Sequence, residues 1–344
     1  MEQMLTQKRL LTRVAIAAGL LLAVMLVCSL IGSESISLKS AFSLTSAENL
    51  INPDHEIYFK IRLPRIVLAC FVGAALACSG VIFQALLRNP LADPYILGIS
   101  SGAGLGAIIA VLSGFTWTLW GRSPIAVFAF CGALGTVWLV WLIGRWTGRA
   151  HTTGLLLAGV VVNAFFSALI MFLSSLSPEH DIYAVIFWLM GTLEEASPLV
   201  LWLSSGFVAA GLVALFFISP QLNVITFGEE DARSIGVNTA AVRLGAFSAA
   251  AFITAIAVSL SGLVGFVGLI VPHAVRLVFG PDHRQVIPLS AIVGAIFLVA
   301  ADTLARTIVA PAQLPVGVVS AIAGGPFFLI LLVKQTRKIG WSAK

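Results

Sequence analysis

Apolar blocks separated by short polar joints fill almost the whole chain. They fall near residues 14–31, 63–87, 94–113, 124–146, 154–176, 198–219, 240–261, 264–280, 286–308 and 316–334. Each is close to the roughly 20 residues that an α-helix needs to cross a bilayer, and too long for a strand. The pattern predicts an all-α polytopic membrane protein of about ten transmembrane helices. It forms one transmembrane domain over residues 1–344, with no stretch left for a soluble catalytic domain.

One joint differs from the rest. Thr226-Phe-Gly-Glu-Glu-Asp-Ala-Arg-Ser-Ile-Gly236 is a polar island between two spans. Thr226 and Glu229 have capping-box spacing, and Gly228 and Gly236 bracket the charges, so a short helix at the membrane surface is expected. Such a helix would dock a soluble partner; the alternative is an ordinary loop. Within the spans, Gly73-x-x-x-Ala77, Gly102-x-x-x-Gly106 and Gly317-x-x-x-Ala321-x-x-x-Gly325 suit close helix packing. Pro272 and Pro326 should kink or break their helices. A faint repeat also runs through the chain. Arg62-Leu63 reaches Ser79-Gly80 much as Arg243-Leu244 reaches Ser261-Gly262, and Gly159-Val-Val echoes Gly317-Val-Val. The paired spans would run in opposite directions, as in an inverted repeat.

Composition and charge refine this picture. Hydrophobic residues make up 59% of the chain and charged residues 10%, against about 25% charged in soluble domains; mean hydropathy is +1.03. A cleaved signal peptide is not expected, because 14–31 exceeds a usual apolar signal core and no convincing small-x-small site follows Ile31. Cys28, Cys70, Cys78 and Cys131 all lie in apolar blocks and read as small buried hydrophobes. With the N-terminus inside and ten spans following, the outer side receives six of the 20 Lys and Arg residues: Lys39, Lys60, Arg62, Arg65, Arg122 and Arg306. The rest fall inside, as the positive-inside rule requires, so both termini and the island face the cytoplasm. The net charge of +5 is therefore a topology signal and implies no nucleic-acid partner. The outer side also carries Glu34, Glu48, Asp54, Glu56, Glu179, Asp181, Glu194 and Glu195, against which its arginines stand out. Arg62 and Arg65 flank Leu63-Pro64, with Pro64 expected in a first helical turn, and Arg306 follows Asp302 by one turn. Two readings stay open: headgroup anchoring with an Asp302–Arg306 pair, or a basic patch for carboxylates of a soluble partner.

Several chemistries are excluded by pattern. The chain has no GxxxxGK[ST] loop, no HExxH helix and no GxSxG elbow, and its five histidines lack ligand spacing. No catalytic residue, metal site or bound cofactor is expected. Few ionisable residues lie at membrane depth, which argues against a proton-coupled secondary carrier, and no catalytic cluster for an intramembrane enzyme can be assembled. A purely structural subunit would not require docking surfaces on both faces. An importer with a neutral path needs an outside energy source, and the island is the place to receive it.

Several separated runs then carry a family resemblance. Arg62-Leu-Pro-Arg65, Gly-Ala-Ala-Leu-Ala-Cys-Ser-Gly80 and Gln84-Ala-Leu-Leu-Arg-Asn-Pro-Leu-Ala-Asp-Pro94 are the first. Leu155-Leu-Leu-Ala-Gly159, Phe187-Trp-Leu-Met-Gly191, Gly265-Phe-Val-Gly-Leu-Ile-Val-Pro-His273 and Leu314-Pro-Val-Gly317 follow. Together, over about 15–335, they resemble the permease subunits of ABC importers for iron–siderophore complexes, haem and cobalamin (FecCD type). The resemblance implies a type II ABC importer permease fold and a homodimer around a central path in a prokaryotic inner membrane. Two ATP-binding subunits would sit inside, holding ATP and Mg, and a substrate-binding protein outside. It implies a coupling segment at about 226–238, with Glu229, Glu230, Asp231, Ala232, Arg233, Ser234 and Gly236 toward the ATPase. Arg62, Arg65 and Arg306 would meet acidic residues of the binding protein, and Asn89, Leu91, Thr152 and Thr153 would surround an inner gate. The expected function is ATP-driven import of an iron chelate by alternating access; a corrinoid such as cobalamin is the alternative cargo.

Overall fold

The first contact that shapes the molecule is between two glycines. A Cβ on Gly73 would collide with the Gly294 carbonyl, and one on Gly294 would collide with Gly73 and Ala77, so these backbones touch where only hydrogen separates them. In hydrocarbon, apolar side chains gain nothing by leaving lipid for each other, so close backbone packing supplies the attraction between helices.

A computed structural model describes residues 6–42, 52–115, 123–146, 152–193 and 197–342. Its helices are α1 (Gln7–Leu30), α2 (Leu38–Ala41), α3 (Pro53–His55), α4 (Leu63–Leu86), α5 (Ile99–Leu112), α6 (Pro124–Trp146), α7 (Thr152–Ser175), α8 (Glu179–Met190), α9 (Pro198–Phe227), α10 (Glu229–Ser234), α11 (Thr239–Ser261), α12 (Val267–Phe279), α13 (His283–Thr307) and α14 (Val316–Ser342). No strand occurs among the described residues. Each of the ten apolar blocks forms a helix. Seven helices among the described residues are long and apolar enough to cross a bilayer, while α5, α12 and the apolar part of α14 are shorter. Arg122, Arg149, His151, Glu48, Glu194 and Glu195 lie outside the described residues.

Four local expectations are corrected. The second span does not start at residue 63: helix runs from Pro53 through a π-helical stretch, Glu56–Arg62, into α4. Pro64 therefore sits inside a continuous helical run, and the wide turn before it, closed by Leu63 N–H to the Tyr58 carbonyl, accommodates the ring. Second, α9 continues through Pro220 to Phe227, eight residues past the expected end. Thr226 is thus helical and bonds back to the Asn223 carbonyl (2.6 Å), so the Thr226–Glu229 capping box does not form. Third, of the kink or break expected at Pro272 and Pro326, the break does not occur: α12 and α14 run through them. Fourth, α8 occupies a joint where no helix was expected. It ends at Gly191, whose φ of +77° and crowding against the Leu263 carbonyl leave no place for a side chain.

At the centre, α4 is almost wholly buried, with Ile66, Leu76, Ile82 and Phe83 among the largest fully enclosed side chains. It packs on α13 at Gly73 and on α12 at Gly80, whose Cβ would strike the Gly268 backbone. Arg65 meets Asp302 at 3.0 Å and Cys78 Sγ donates to the Ile287 carbonyl at 3.2 Å, so α4 and α13 run antiparallel. Gly102 and Gly106 seat α5 on the carbonyls of Gly132 and Phe128 in α6, which realises the predicted G-x-x-x-G contact. In the Gly317 motif only Gly317 is pinned, against the Met190 and Leu263 carbonyls; Gly325 has room. Gly159 sits likewise against the Ile96 carbonyl. Ile96 and Leu263 each lie just before a left-handed residue, Gly98 (φ +78°) and Phe266 (φ +69°), that opens a short helix. The two Gly-Val-Val runs thus have matching surroundings, as a repeat would give.

Gly80→Ala should lower thermal stability in detergent by about 1–3 kcal/mol, the usual cost of forcing a methyl group into a packed core. Gly135→Ala, where a Cβ meets nothing within 4 Å, should not lower it; equal melting temperatures for the two variants would refute close packing at Gly80.

Candidate functional site

The polar side chains that the bilayer cannot accommodate collect at the two ends of α4. From Arg65 to Arg88 the helical rise is about 35 Å, which exceeds a hydrocarbon core of about 30 Å. One cluster therefore belongs to each membrane face.

At the first end, Arg65 and Arg306 share the carboxylate of Asp302. Arg65 Nε and Nη2 each approach Asp302 Oδ1 at 3.0 Å, Arg306 Nε approaches Oδ2 at 3.0 Å, and Arg65 Nη1 reaches Gln313 Oε1 at 3.1 Å. The Asp302 side chain is 1% exposed, Arg65 16% and Arg306 8%. The i, i+4 pair read from spacing is present. Arg62 is turned inward, 3% exposed; its Nη1 donates to the carbonyls of Ser29 (3.3 Å) and Leu30 (3.2 Å), and its Nη2 to that of Glu34. A cation on the orphan carbonyls at the C-terminal end of α1 is favourable and ties α1 to the start of α4. Arg62 thus does not project toward a partner as expected, because these carbonyls need its donors. Two guanidinium groups, of Arg65 and Arg306, against the one buried carboxylate of Asp302 leave this cluster with a net positive charge.

At the opposite end stands α10, whose expected surface helix is present. Gly228 precedes it without a side-chain cap, and Gly236, φ +87°, closes it. Glu230, Asp231, Arg233 and Ser234 are exposed, and Arg233 Nε donates to Thr239 Oγ1 at 3.1 Å. Ala232 is fully buried, so it seats α10 on the protein and offers no contact surface, a correction to its expected role. Two residues that sequence reasoning missed flank the helix: Phe227 is 87% and Ile235 67% exposed. Large apolar side chains at the edges of a polar island were the available signal.

The base of α9 is clamped beside α10. Asn223 Oδ1 accepts from His283 N–H at 2.8 Å and faces His283 Nδ1 at 2.7 Å, while Asn223 Nδ2 donates to Asp282 Oδ1 at 2.7 Å. Burial pushes the Asp282 carboxyl up, but the side chains of Arg284 and Asn223 and the Arg284 N–H together outweigh it and hold the group below the usual range. Arg13 Nη1, on α1, reaches Gln285 Oε1 at 2.6 Å, so α1 spans both clusters.

Asn89 and Leu91 lie on the turn after α4. Asn89 Oδ1 accepts the Leu91 N–H at 2.9 Å, and Leu91 is 40% exposed. Asp93 then caps the 3-10 turn Pro94–Leu97 by accepting the Tyr95 N–H at 2.9 Å. Its burial pushes the carboxyl up to about 6, with that same hydrogen bond opposing. Thr152 and Thr153 form the first turn of α7, the helix whose Gly159 rests on Ile96 in this connection. The largest groove noted here, about 670 Å³ between α6, α9 and α11, is lined by Trp138, Trp141, Phe207 and Phe252, at neither polar end. No metal-binding cluster occurs among the described residues.

Residues 20–334 match the model of the FecCD transport family. The hemin transport system permease protein HmuU of Yersinia pestis is 37% identical, with 92% of this chain and 95% of that protein covered. The cobalamin import system permease protein BtuC of Halobacterium salinarum is 44% identical over 79% of this chain and 72% of that protein. A solved inward-facing metal-chelate type ABC transporter superposes with a TM-score of 0.79 at 29% identity, over 93% of this chain and 99% of that one.

Asp302→Ala should destabilise the protein by about 3–5 kcal/mol, because it strands two guanidinium groups with little access to water. Adding Arg65→Met and Arg306→Met should recover most of that loss; a melting temperature untouched by Asp302→Ala would deny the shared pairing.

Proposed function

Since this chain belongs to the FecCD transport family, whose members are ABC importer permeases, we propose that it is the membrane path of an ATP-driven importer of iron chelates. One observation carries this reading. The chain presents an exposed charged helix, α10, at one membrane face and a cationic cluster, Arg65 and Arg306 around Asp302, at the other. Docking surfaces on opposite faces suit a subunit that receives work on one side and cargo on the other.

In this reading two copies of the chain surround the path in an inner membrane, with both termini and α10 in the cytoplasm. The exposed apolar residues of α7 and α8, such as Phe165, Met171 and Phe187, support a membrane or second-copy environment for that face. Two ATPase subunits bind and hydrolyse ATP with Mg, and this chain binds neither. Phe227 and Ile235 enter a cleft on each ATPase while Glu230, Asp231, Arg233 and Ser234, with neighbouring Glu229, set orientation; Gly236 lets the chain turn back. A substrate-binding protein meets Arg65 through carboxylates, while the buried Arg306 fixes Asp302 and Arg62 holds α1 in place behind it. Closure of the ATPase pair carries α10 as a near-rigid body and alternates access about the path. Cargo passes without covalent chemistry, and weak contacts along the path let it leave. The 37% identity to a hemin permease over nearly the whole chain supports an iron chelate. Its likeness to cobalamin permeases makes a corrinoid the second reading.

The test is uptake by proteoliposomes holding the chain with its co-purified ATPase and binding protein, offered hemin, ferric siderophores and cyanocobalamin with and without ATP. ATP-dependent uptake of hemin or a ferric siderophore is expected; cyanocobalamin alone would support the second reading, and uptake that follows an ion gradient without ATP would overturn both. Asp231→Arg should abolish uptake while the binding protein still docks, since only the cytoplasmic surface is altered. Arg65→Glu with Arg306→Glu should weaken capture of the binding protein in a pull-down at least tenfold, the order expected when complementary charge is reversed; undiminished capture would remove the arginines from docking.

A further inference from the structure

Arg88 has an unusual backbone for its residue type. It follows the last residues of α4 with φ +45°, in the left-handed region. The Arg88 N–H bonds to the Ala85 carbonyl (3.3 Å) and the Asn89 N–H to that of Gln84 (3.2 Å), the paired bonds of a Schellman turn. That position belongs by preference to glycine, because a residue with a Cβ is strained there. The chain makes the ordinary choice elsewhere: the same paired bonds close α10 with Gly236 in the equivalent place. A side chain kept at such a position calls for a use.

The use is visible in the fold. Arg88 Nη2 donates to the Ile225 carbonyl at 3.1 Å, across 137 residues of sequence. Ile225 is in the last turn of α9, where carbonyls lack helical partners and a cation is favoured. Four residues beyond it the chain enters α10, and the residue after Arg88 is Asn89, which folds the turn that carries Leu91. One exposed guanidinium therefore joins the neck of the cytoplasmic helix to the segment after α4.

We infer that Arg88 is a strut that transmits displacement of α10 to the Asn89–Leu91 turn, a positioning residue for opening and closing the cytoplasmic end of the path. This rests on the proposed ATP-driven reading. When α9 and α10 shift together, the Ile225 carbonyl draws Arg88 with it, and the turn follows because Arg88 and Asn89 are adjacent. Without the guanidinium, the turn stays formed by its own backbone bonds and loses its connection to the neck.

The experiment uses the full complex with its ATPase in membrane vesicles. Leu91→Cys is placed in a chain whose four native cysteines are replaced by alanine, and maleimide labelling is timed with and without ATP plus vanadate. In the parent, nucleotide should change the labelling rate severalfold. With Arg88→Gly the ratio should collapse to unity while the melting temperature stays or rises, since glycine relaxes the turn. Arg88→Lys should restore part of the response, because an ammonium can still reach the carbonyl. If the glycine variant does not accumulate, Arg88→Met removes the donors and keeps the stem. A ratio in the glycine or methionine variant equal to the parent's overturns the strut. A parent that binds its ATPase yet never responds to nucleotide overturns the ATP-driven reading, and the strut with it.

Discussion

The antiparallel seam between α4 and α13 sets the geometry on which both polar ends depend. Gly73 and Gly294 let the two backbones touch, and in a lipid solvent that proximity is itself the source of attraction. It also fixes register. With the glycines opposed, Arg65 falls beside Asp302 and Cys78 beside the Ile287 carbonyl. A slip of one helical turn, about 5.4 Å, would carry Asp302 out of reach of Arg65 and leave a buried charge without its partner. Small residues in mid-membrane thus decide where charges meet at the surface.

The same seam explains why α4 can link the two faces. It is enclosed by α11, α12 and α13, its buried side chains are nearly all apolar, and hydrogen bonds such as Ser79 Oγ to the Ala250 carbonyl (3.0 Å) satisfy the few polar groups inside. Gln84, near its C-terminal end, donates to the carbonyls of Gly268 and Leu269 and accepts from Arg276, so even its last turns are held by α12. A rod packed this way moves as a unit or not at all. The parts outside the seam, namely α10, the turn after α4 and the first turns of α7, are not held in this way.

Much of this was legible in the sequence because a bilayer imposes a simple code. Ten apolar blocks gave ten helices, and the glycines at 73, 102 and 106 marked real close contacts. The misses share one physical cause: local rules describe how an isolated segment ends, whereas tertiary packing decides where this one does. The apolar block ending at 219 and Pro64 suggested boundaries, yet α9 and the 53–86 helix continue because Ser219 Oγ bonds the Phe216 carbonyl that Pro220 frees and a π-helical turn accommodates Pro64. Thr226 has capping chemistry, but it lies within a helix that runs on to Phe227. The apolar part of α8, Asp181–Met190, is too short to signal a span, and its end is fixed by Gly191 against the Leu263 carbonyl. At the end of α4 that carries Arg65, sequence supplied Arg62, Arg65 and Arg306 but not the direction of each, which depends on the α1 carbonyls that claim Arg62.

Arg88 lay beyond sequence reading for a related reason. Glycines are visible punctuation, so Gly236 announced the end of α10, while an arginine after a helix reads only as a basic residue at a membrane face. Its meaning appears when backbone and side chain are weighed together. The left-handed turn costs about 1–2 kcal/mol, and a hydrogen bond from a charged donor returns about 1.5–3 kcal/mol. The two nearly balance, so the turn, held by its own backbone bonds, has its strain offset only while the Ile225 carbonyl stays within reach. A strained residue offset by a contact 137 positions away makes the shape of one element depend on the place of another. That dependence, more than the strength of either interaction, is what a mechanical connection between α10 and the turn after α4 requires.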